Sequence, residues 1–153
     1  MRCRLSRAKR IMNIIFMRRH REGYPRTEFL KKAGIFGAFG EKCYWYPRKL
    51  PAEPKKVLLH NSVNVATDVY FCDHDVIQYR LNNVLEYLNL LPDGKEYPYK
   101  TYEIEIFDNV FIGAHSIIIG NVKFDSNAII AAGYLAKVIS DMETYVRKRG
   151  EFV

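Results

Sequence analysis

His74 is the residue whose type and neighbours best suit proton-transfer chemistry in this sequence. It lies between Asp73 and Asp75, and imidazole is the side chain whose unperturbed pKa lies nearest to neutral pH. A histidine held by a carboxylate can accept the proton of a hydroxyl group, because the carboxylate fixes the tautomer and stabilises the imidazolium that forms. On the residues alone, a lone histidine beside two acids is more often a surface residue, and a general base at His74 is the alternative.

The elements that must position His74 are indicated by a six-residue period of large apolar residues. In the second half of the chain the period runs through Ile106, Ile112, Ile118, Phe124 and Ile130. Residues of small or medium size follow four positions after the first four of these: Val110, Ser116, Val122 and Ala128. A helix would need apolar spacings of three and four, and a half-buried strand would need alternation. A period of six predicts a coil with three short flat faces, in which each hexad supplies one strand and one corner.

The corners of this coil are predicted to come directly after the inward-pointing repeat residues, where Gly113, Asp125 and Ala131 stand. The same period is present less regularly in the first half of the chain, at Ala33, Phe39, Trp45, Leu59, Val65, Phe71 and Ile77. Prolines interrupt it between residues 47 and 56, and a long loop, residues 78–103, interrupts it again. An insertion of this length in a repeated coil usually lies on one face and often serves binding.

The remaining polar candidates have weaker patterns than His74. His115 follows a repeat residue by three positions, as His74 does. It ranks second as a site residue, and the alternative is that it simply lines the coil. His60 is expected at a surface corner and His20 on an exposed helix face. Asp68 is a candidate for orienting a hydroxyl-bearing ligand, or it caps a turn.

The N-terminal segment, residues 1–34, holds most of the positive charge. Residues 1–32 contain eleven Lys or Arg and two acidic residues, whereas the rest of the chain contains thirteen and fifteen. We expect a basic amphipathic helix over residues 2–21, a break at Gly23-Tyr24-Pro25, and a second short helix from Thr27 as N-cap to Gly34. The segment is expected to form a solvated cap on the coil, with weak contact to anionic lipid headgroups or an acidic partner as the alternative. The nearly neutral remainder argues against nucleic-acid binding.

The chain is long enough for one folded body with a substantial core, in which the helical segment 1–34 precedes the coil, residues 35–153. Its apolar share of 48% and charged share of 27% are typical of soluble proteins. We expect no membrane span and no signal peptide, because no apolar run is long enough. Cys3, Cys43 and Cys72 have no pairing pattern. The sequence therefore predicts a cytoplasmic protein with reduced thiols.

Two stretches, residues 111–118 and 122–133, resemble the hexapeptide-repeat acyltransferases. The nearest in appearance are the O-acetyltransferases of galactosides, maltose and polysaccharides. The segment 64–75 is similar to the family segment that carries the catalytic histidine, and Pro47-Arg48-Lys49 resembles the sugar-modifying branch. The resemblance covers about residues 27–146. It implies a mainly β fold, a left-handed parallel β-helix with a short N-terminal helical segment and an extended loop, assembled as a homotrimer with its active site between adjacent prisms.

The resemblance also implies an acetyl-coenzyme A-dependent O-acetyltransferase that acts on a saccharide hydroxyl, as in polysaccharide biosynthesis. His74 matches the catalytic base, with Asp73 and Asp75 in support, and Asp68 and His115 would contact the acceptor. By matching positions, coenzyme A would be bound by Ala114, Ala132, Gly133 and Lys137. No metal is implied, because the zinc hydratases built on the same prism need three histidines, two of them five residues apart.

The C-terminal part departs from the family pattern. Tyr134 and Ala136 stand where other residues are usual, and the tail after Lys137 lacks the usual turn. One alternative is therefore a trimeric scaffold or binding subunit that has lost its activity. Another is an N-acetyltransferase of an amino sugar, which would use the same base.

Overall fold

The six-residue period folds into ten short strands that wind around a common axis. The structure, a computed structural model, describes residues 5–92, 94–130, 138–144 and 147. The strands are β1 (Ala38–Phe39), β2 (Tyr44–Trp45), β3 (Val57–Leu59), β4 (Asn64–Val65), β5 (Tyr70–Cys72), β6 (Ile104–Ile106), β7 (Phe111–Ile112), β8 (Ile117–Ile119), β9 (Val122–Phe124) and β10 (Ala128–Ile130). A further strand, β11 (Val138–Asp141), follows them.

The strands form three sheets, and from β1 to β10 consecutive strands belong to different sheets. The sheets have the orders β1-β3-β6-β9, β2-β4-β7-β10-β11 and β5-β8, and every pairing is parallel except that of β10 with β11. From β4 to β10 the chain visits the second, third and first sheets in turn. Ile104 pairs with Val122 and Phe111 with Ile129, each partner eighteen residues further on. The predicted three-faced coil of parallel strands is confirmed.

The interior of the coil is filled by the repeat residues. Ile106, Ile112, Ile118 and Ile130 are each at most 1% exposed, and Phe124 is half-buried against them. Three of the four smaller residues are also buried: Val110, Ser116 and Ala128. The repeat stops before Ile77, which is 56% exposed and lies in a helix, so its assignment as a repeat residue was wrong.

The corners are made by left-handed residues that come three positions after a repeat residue. They have φ between 51° and 65°, and none is glycine: Lys42, Ser62, Asp68, Asn109, His115, Asn121 and Asn127. The sequence prediction placed the corner at the small residue directly after the repeat residue and missed these positions. Asparagine adopts this conformation more readily than most residues. Asn109 Nδ2 also donates to Asn127 Oδ1 at 2.8 Å, which links equivalent corners of neighbouring turns.

Two helices, α1 (Arg7–Arg19) and α2 (Gly23–Ala33), pack against the start of the coil. Met17 and Leu30 are fully buried in the same core cluster as Trp45. The predicted break at Gly23-Tyr24-Pro25 is instead the first turn of α2, where proline is tolerated because early helical N–H groups have no partner. Thr27 is not an N-cap: its hydroxyl donates to the Gly23 carbonyl at 3.0 Å and accepts from the Trp45 N–H at 2.9 Å. Thr27 therefore ties α2 to β2.

The predicted extended loop is partly helical. It contains α3 (Ile77–Leu81) and α4 (Leu85–Leu88). The Asn82 side chain holds it together by bonding both the N–H and the C=O of Tyr97, at 2.8 and 2.9 Å. The segment returns beside its starting point, since the Tyr102 N–H donates to the Asp73 carbonyl at 2.7 Å.

Beyond the last parallel strand, β11 pairs antiparallel with β10. A short 3-10 helix, Pro54–Lys56, lies within the proline-containing segment.

Cys43 is buried and Cys72 is half-buried, and both are free thiols. Within the described ranges, no helix combines the length and apolarity needed to cross a bilayer.

Candidate active site

His74 lies just after β5, where the chain leaves the coil for the insertion. Its Nδ1 is 3.0 Å from Asp73 Oδ1, and its side chain is 20% exposed. The ring lies 5.7 Å from that of Tyr99, and the backbone forms a bridge with Thr101 at the other end of the insertion. Because Asp73 engages Nδ1, Nε2 is the ring nitrogen left to accept a proton.

Asp73 is held more firmly than the histidine that it contacts. Its side chain is fully buried, and its second oxygen, Oδ2, accepts the Glu53 N–H at 2.6 Å. A buried carboxylate is costly unless its oxygens are hydrogen-bonded, and here each oxygen has a partner. Asp73 can therefore fix both the orientation and the tautomer of His74.

Asp75 has different partners. It accepts hydrogen bonds from the Tyr102 hydroxyl and from the Ile77 N–H. The bond to Asp75 raises the pKa of Tyr102 above its ordinary value. Asp75 therefore joins the two ends of the insertion. Of the two carboxylates that flank His74, Asp73 is the one that contacts its ring.

Asp68 and His115 lie together at the corner between the second and third sheets. Both have left-handed backbones, and the His115 N–H donates to the Thr67 carbonyl at 3.0 Å. They line a pocket of about 200 Å³, which is also lined by Pro47, Arg48, Lys49, Val69 and Tyr70. His74 lies at the other end of β5, six residues of chain from Asp68, which is at most about 20 Å. Asp68 and His115 therefore line the same pocket of one chain, and His74 is not in its lining.

Of the positions predicted to bind coenzyme A, only Ala114 is within the described ranges. It lies half-buried in the turn between β7 and β8. Ala132, Gly133 and Lys137 lie outside the described residues.

His60 belongs to a cluster of charges on the first sheet. Its Nε2 is 3.1 Å from Glu105 Oε1, and Glu105 Oε2 is 2.6 Å from Lys123 Nζ. The His60 ring stacks on the Phe107 ring, and the two ring centres are 4.8 Å apart. The bonds from Lys123 and His60 lower the pKa of Glu105. The cluster spans three turns of the coil.

Across the described ranges, no group of three or more His, Cys, Asp or Glu side chains is arranged to hold a metal ion.

A second cavity, which sequence reasoning missed, lies between the helices and the first turn of the coil. It has a volume of about 490 Å³ and is lined by Arg18, Arg21, Arg26, Tyr46 and Arg48. The run Arg18-Arg19-His20-Arg21 was interpreted as part of a solvated helix. Its proximity to Arg48 depends on how the helices pack on the coil, which the local sequence does not specify.

Comparison with solved structures identifies the fold of this chain. The family models give no match to this chain, and a search of curated proteins gives none either. Among solved structures, a hexapeptide-repeat acetyltransferase from Vibrio cholerae aligns with a TM-score of 0.50 and 12% identity over 88% of this chain and 91% of that one. The chain has the hexapeptide-repeat acetyltransferase fold. A galactoside acetyltransferase, solved with coenzyme A, also aligns with a TM-score of 0.50, at 15% identity over 92% of this chain and 84% of that one.

The suspected resemblance to hexapeptide-repeat acetyltransferases is thus confirmed at the level of the fold. At identities of 12% and 15%, the likeness does not assign a reaction to this chain. For a hexapeptide-repeat coil the reaction has to be argued from the site, because one fold hosts many functions.

Proposed function

We propose that this protein transfers an acetyl group from acetyl-coenzyme A to a hydroxyl group of a saccharide, with His74 as general base. The observation that carries the proposal is the contact of Asp73 Oδ1 with His74 Nδ1. This contact holds an imidazole in one tautomer at the start of the insertion between β5 and β6, residues 73–103. The fold is one whose solved neighbours include acetyltransferases.

The chemistry is a direct transfer. His74 Nε2 accepts the proton of the acceptor hydroxyl, while the hydroxyl oxygen attacks the thioester carbonyl carbon. The new C–O bond forms, the C–S bond breaks, and the imidazolium returns the proton to the departing thiolate. The Asp73 carboxylate stabilises the imidazolium, and a backbone N–H stabilises the oxyanion. Asp75 supports this arrangement indirectly, because its bond with Tyr102 joins the start of the insertion to its end.

The proposal includes a left-handed winding and a homotrimer. The third sheet presents three exposed apolar side chains to its outside, Tyr70 (48%), Ile117 (37%) and Ile119 (48%), which suits contact with another prism. Asp68 and His115 lie near the start of β5, whereas His74 follows its end. A site that uses all three would take His74 from one chain and Asp68 and His115 from an adjacent chain. Holding both substrates in that cleft would supply the proximity on which direct transfer depends.

The remaining positions follow the same proposal. Coenzyme A lies along the cleft against Ala114, Ala132, Gly133 and Lys137, where small side chains permit close approach and a lysine can meet a phosphate. Residues 1–34 form the helical segment and residues 35–153 the transferase domain, in a cytoplasmic protein.

The test is to mix the protein with acetyl-coenzyme A and a panel of saccharides and to follow the release of free thiol. We expect saccharide-dependent release that falls by about 10²- to 10⁴-fold in His74→Ala, the usual contribution of a general base. Equal slow release with both proteins would contradict the proposal and favour the scaffold, which the departures at Tyr134 and Ala136 already suggest. Mass spectrometry before and after mild alkali separates an O-acetyl ester, which is cleaved, from the N-acetyl amide of an amino sugar, which is not.

A further inference from the structure

The cavity lined by arginines, here called the arginine pocket, is built from four parts of the chain. Arg18 comes from α1, Arg21 from the connection between the helices and Arg26 from α2, while Tyr46 and Arg48 follow β2. Its volume of about 490 Å³ is within the range of small-molecule sites. Among the described residues, no acidic side chain lines it.

Arg26 is the fixed element of the arginine pocket. It is only 3% exposed. Its Nε donates to the His20 carbonyl at 2.8 Å, its Nη2 to the Arg21 carbonyl at 3.3 Å, and its Nη1 to the Tyr46 carbonyl. The guanidinium also lies over the Tyr46 ring, 4.9 Å from its centre. It is therefore held by neutral groups, and its positive charge is not neutralised by them.

Among the described residues, no acidic side chain pairs with the arginines of the arginine pocket, which are Arg18, Arg21, Arg26 and Arg48. Burial lowers the pKa of Arg26, and the charge of Arg48 lowers it further. Four like charges around one cavity repel one another and create a positive potential that an anion would relieve. The planar guanidinium group suits phosphate oxygens in particular, because it can bind two of them at once.

The arginine pocket adjoins the pocket of Asp68 and His115. Arg48 lines both cavities, so a ligand that fills one cavity can extend into the other past a single side chain. The second pocket also has Lys49 and Tyr70 in its wall. This arrangement suits a molecule with an anionic end and a hydroxyl-bearing end.

We propose that the arginine pocket binds the phosphate or diphosphate group of a phosphorylated saccharide, whose sugar reaches the Asp68–His115 pocket past Arg48. The part that concerns the sugar rests on the proposed function, whereas phosphate binding by the arginines does not. The proposal narrows the acceptor from saccharides in general to those that carry a phosphate group.

The test is a set of binding measurements by titration calorimetry on the full chain. The ligands are glucose, glucose 1-phosphate, UDP-glucose, inorganic pyrophosphate and coenzyme A. The protein is wild type, His74→Ala, a double variant Arg18→Gln/Arg21→Gln, and Arg19→Gln as a matched control. Arg18, Arg21 and Arg19 are all exposed, so these changes leave the core intact, and Arg19 does not line the cavity.

We expect the phosphorylated sugars and pyrophosphate to bind at least about ten times more tightly than glucose. The double variant should lose that advantage, and Arg19→Gln should keep it. His74→Ala should bind as wild type does, so a failure of acetyl transfer with intact phosphate binding would count against the proposed function alone. The inference is overturned if the phosphorylated sugars bind no better than glucose or if the double variant binds them normally.

Two further outcomes would assign the phosphate to another source and would also overturn the inference. In one, coenzyme A alone depends on Arg18 and Arg21, which would make the arginine pocket a donor site. In the other, vesicles of phosphatidylcholine with phosphatidylserine bind in an arginine-dependent manner while the soluble phosphates do not, which would make it a lipid-headgroup site.

Discussion

The carboxylate of Asp73 lies 3.0 Å from Nδ1 of His74, its immediate neighbour in the chain. The other oxygen of the same carboxylate accepts the Glu53 N–H, which belongs to the segment that precedes the third strand. The histidine is thus oriented by a group that is itself fixed to the body of the coil. This relationship permits a direct test of positioning.

Asp73→Asn should lower the transfer rate by up to about 10⁴-fold, because the amide cannot stabilise the imidazolium and can favour the wrong tautomer. The KM values should change little, since Asp73 is buried and does not meet substrate. Steady-state kinetics of thiol release measure both quantities. Asp125→Asn, at an exposed position between β9 and β10, is the control, and an equal loss of rate in both variants would contradict the assignment.

Leu59→Ala should reduce the free energy of unfolding by about 2–5 kcal/mol, the usual cost of deleting a buried leucine side chain. Leu59 is 1% exposed and fills the interior of the coil. Leu85→Ala makes the same chemical change at a site that is 73% exposed and should cost less than about 0.5 kcal/mol. Urea unfolding followed by circular dichroism compares the two. Similar losses would show that the six-residue period does not mark the core.

Ser62→Gly should stabilise the protein and Ser62→Val should destabilise it. Ser62 has φ of 56°, a conformation that costs an ordinary residue about 1–2 kcal/mol and costs glycine almost nothing. Valine is β-branched and suits this conformation worst. Thermal unfolding should therefore rank the proteins glycine, serine, valine, and a reversed order would contradict the assignment of the corners.

The stabilising contribution of Glu105 should depend on pH. Bonds from Lys123 and then from His60 lower its folded-state pKa below the ordinary value of 4.5. A lowered carboxylate pKa stabilises the folded state above the unfolded-state pKa, and that stability is lost as the pH falls through the folded-state pKa. The difference in urea midpoint between wild type and Glu105→Gln should therefore be full near pH 6 and should shrink below pH 4.5. Glu86→Gln, on the exposed surface of the insertion, should show no such dependence.

Most of the coil could be predicted from the sequence because every hexad repeats the same local requirement. A large residue such as Ile112 points inward, and a smaller one such as Ser116 fits beside it. The corners were misplaced because glycine and aspartate are typical turn residues, whereas the left-handed positions here are filled by residues such as His115 and Asn121.

Elements held by distant contacts could not be predicted in the same way. Thr27 has the chemistry of an N-cap, but its hydroxyl bonds within α2 and to Trp45 instead. The helices of the insertion lack clear caps, and no side chain caps either of them. The arginine pocket combines α1, α2 and the end of β2, and only the packing of the helices brings Arg18 and Arg48 together.

The antiparallel pairing of β11 with β10 has a consequence for growth of the coil. A parallel winding ends in a row of backbone donors and acceptors that can template another strand, either from a second molecule or from an aggregate. In the second sheet that row is occupied by the chain itself, running in the opposite direction. A further parallel turn therefore cannot pair with β10, which favours association of molecules side by side over stacking end to end.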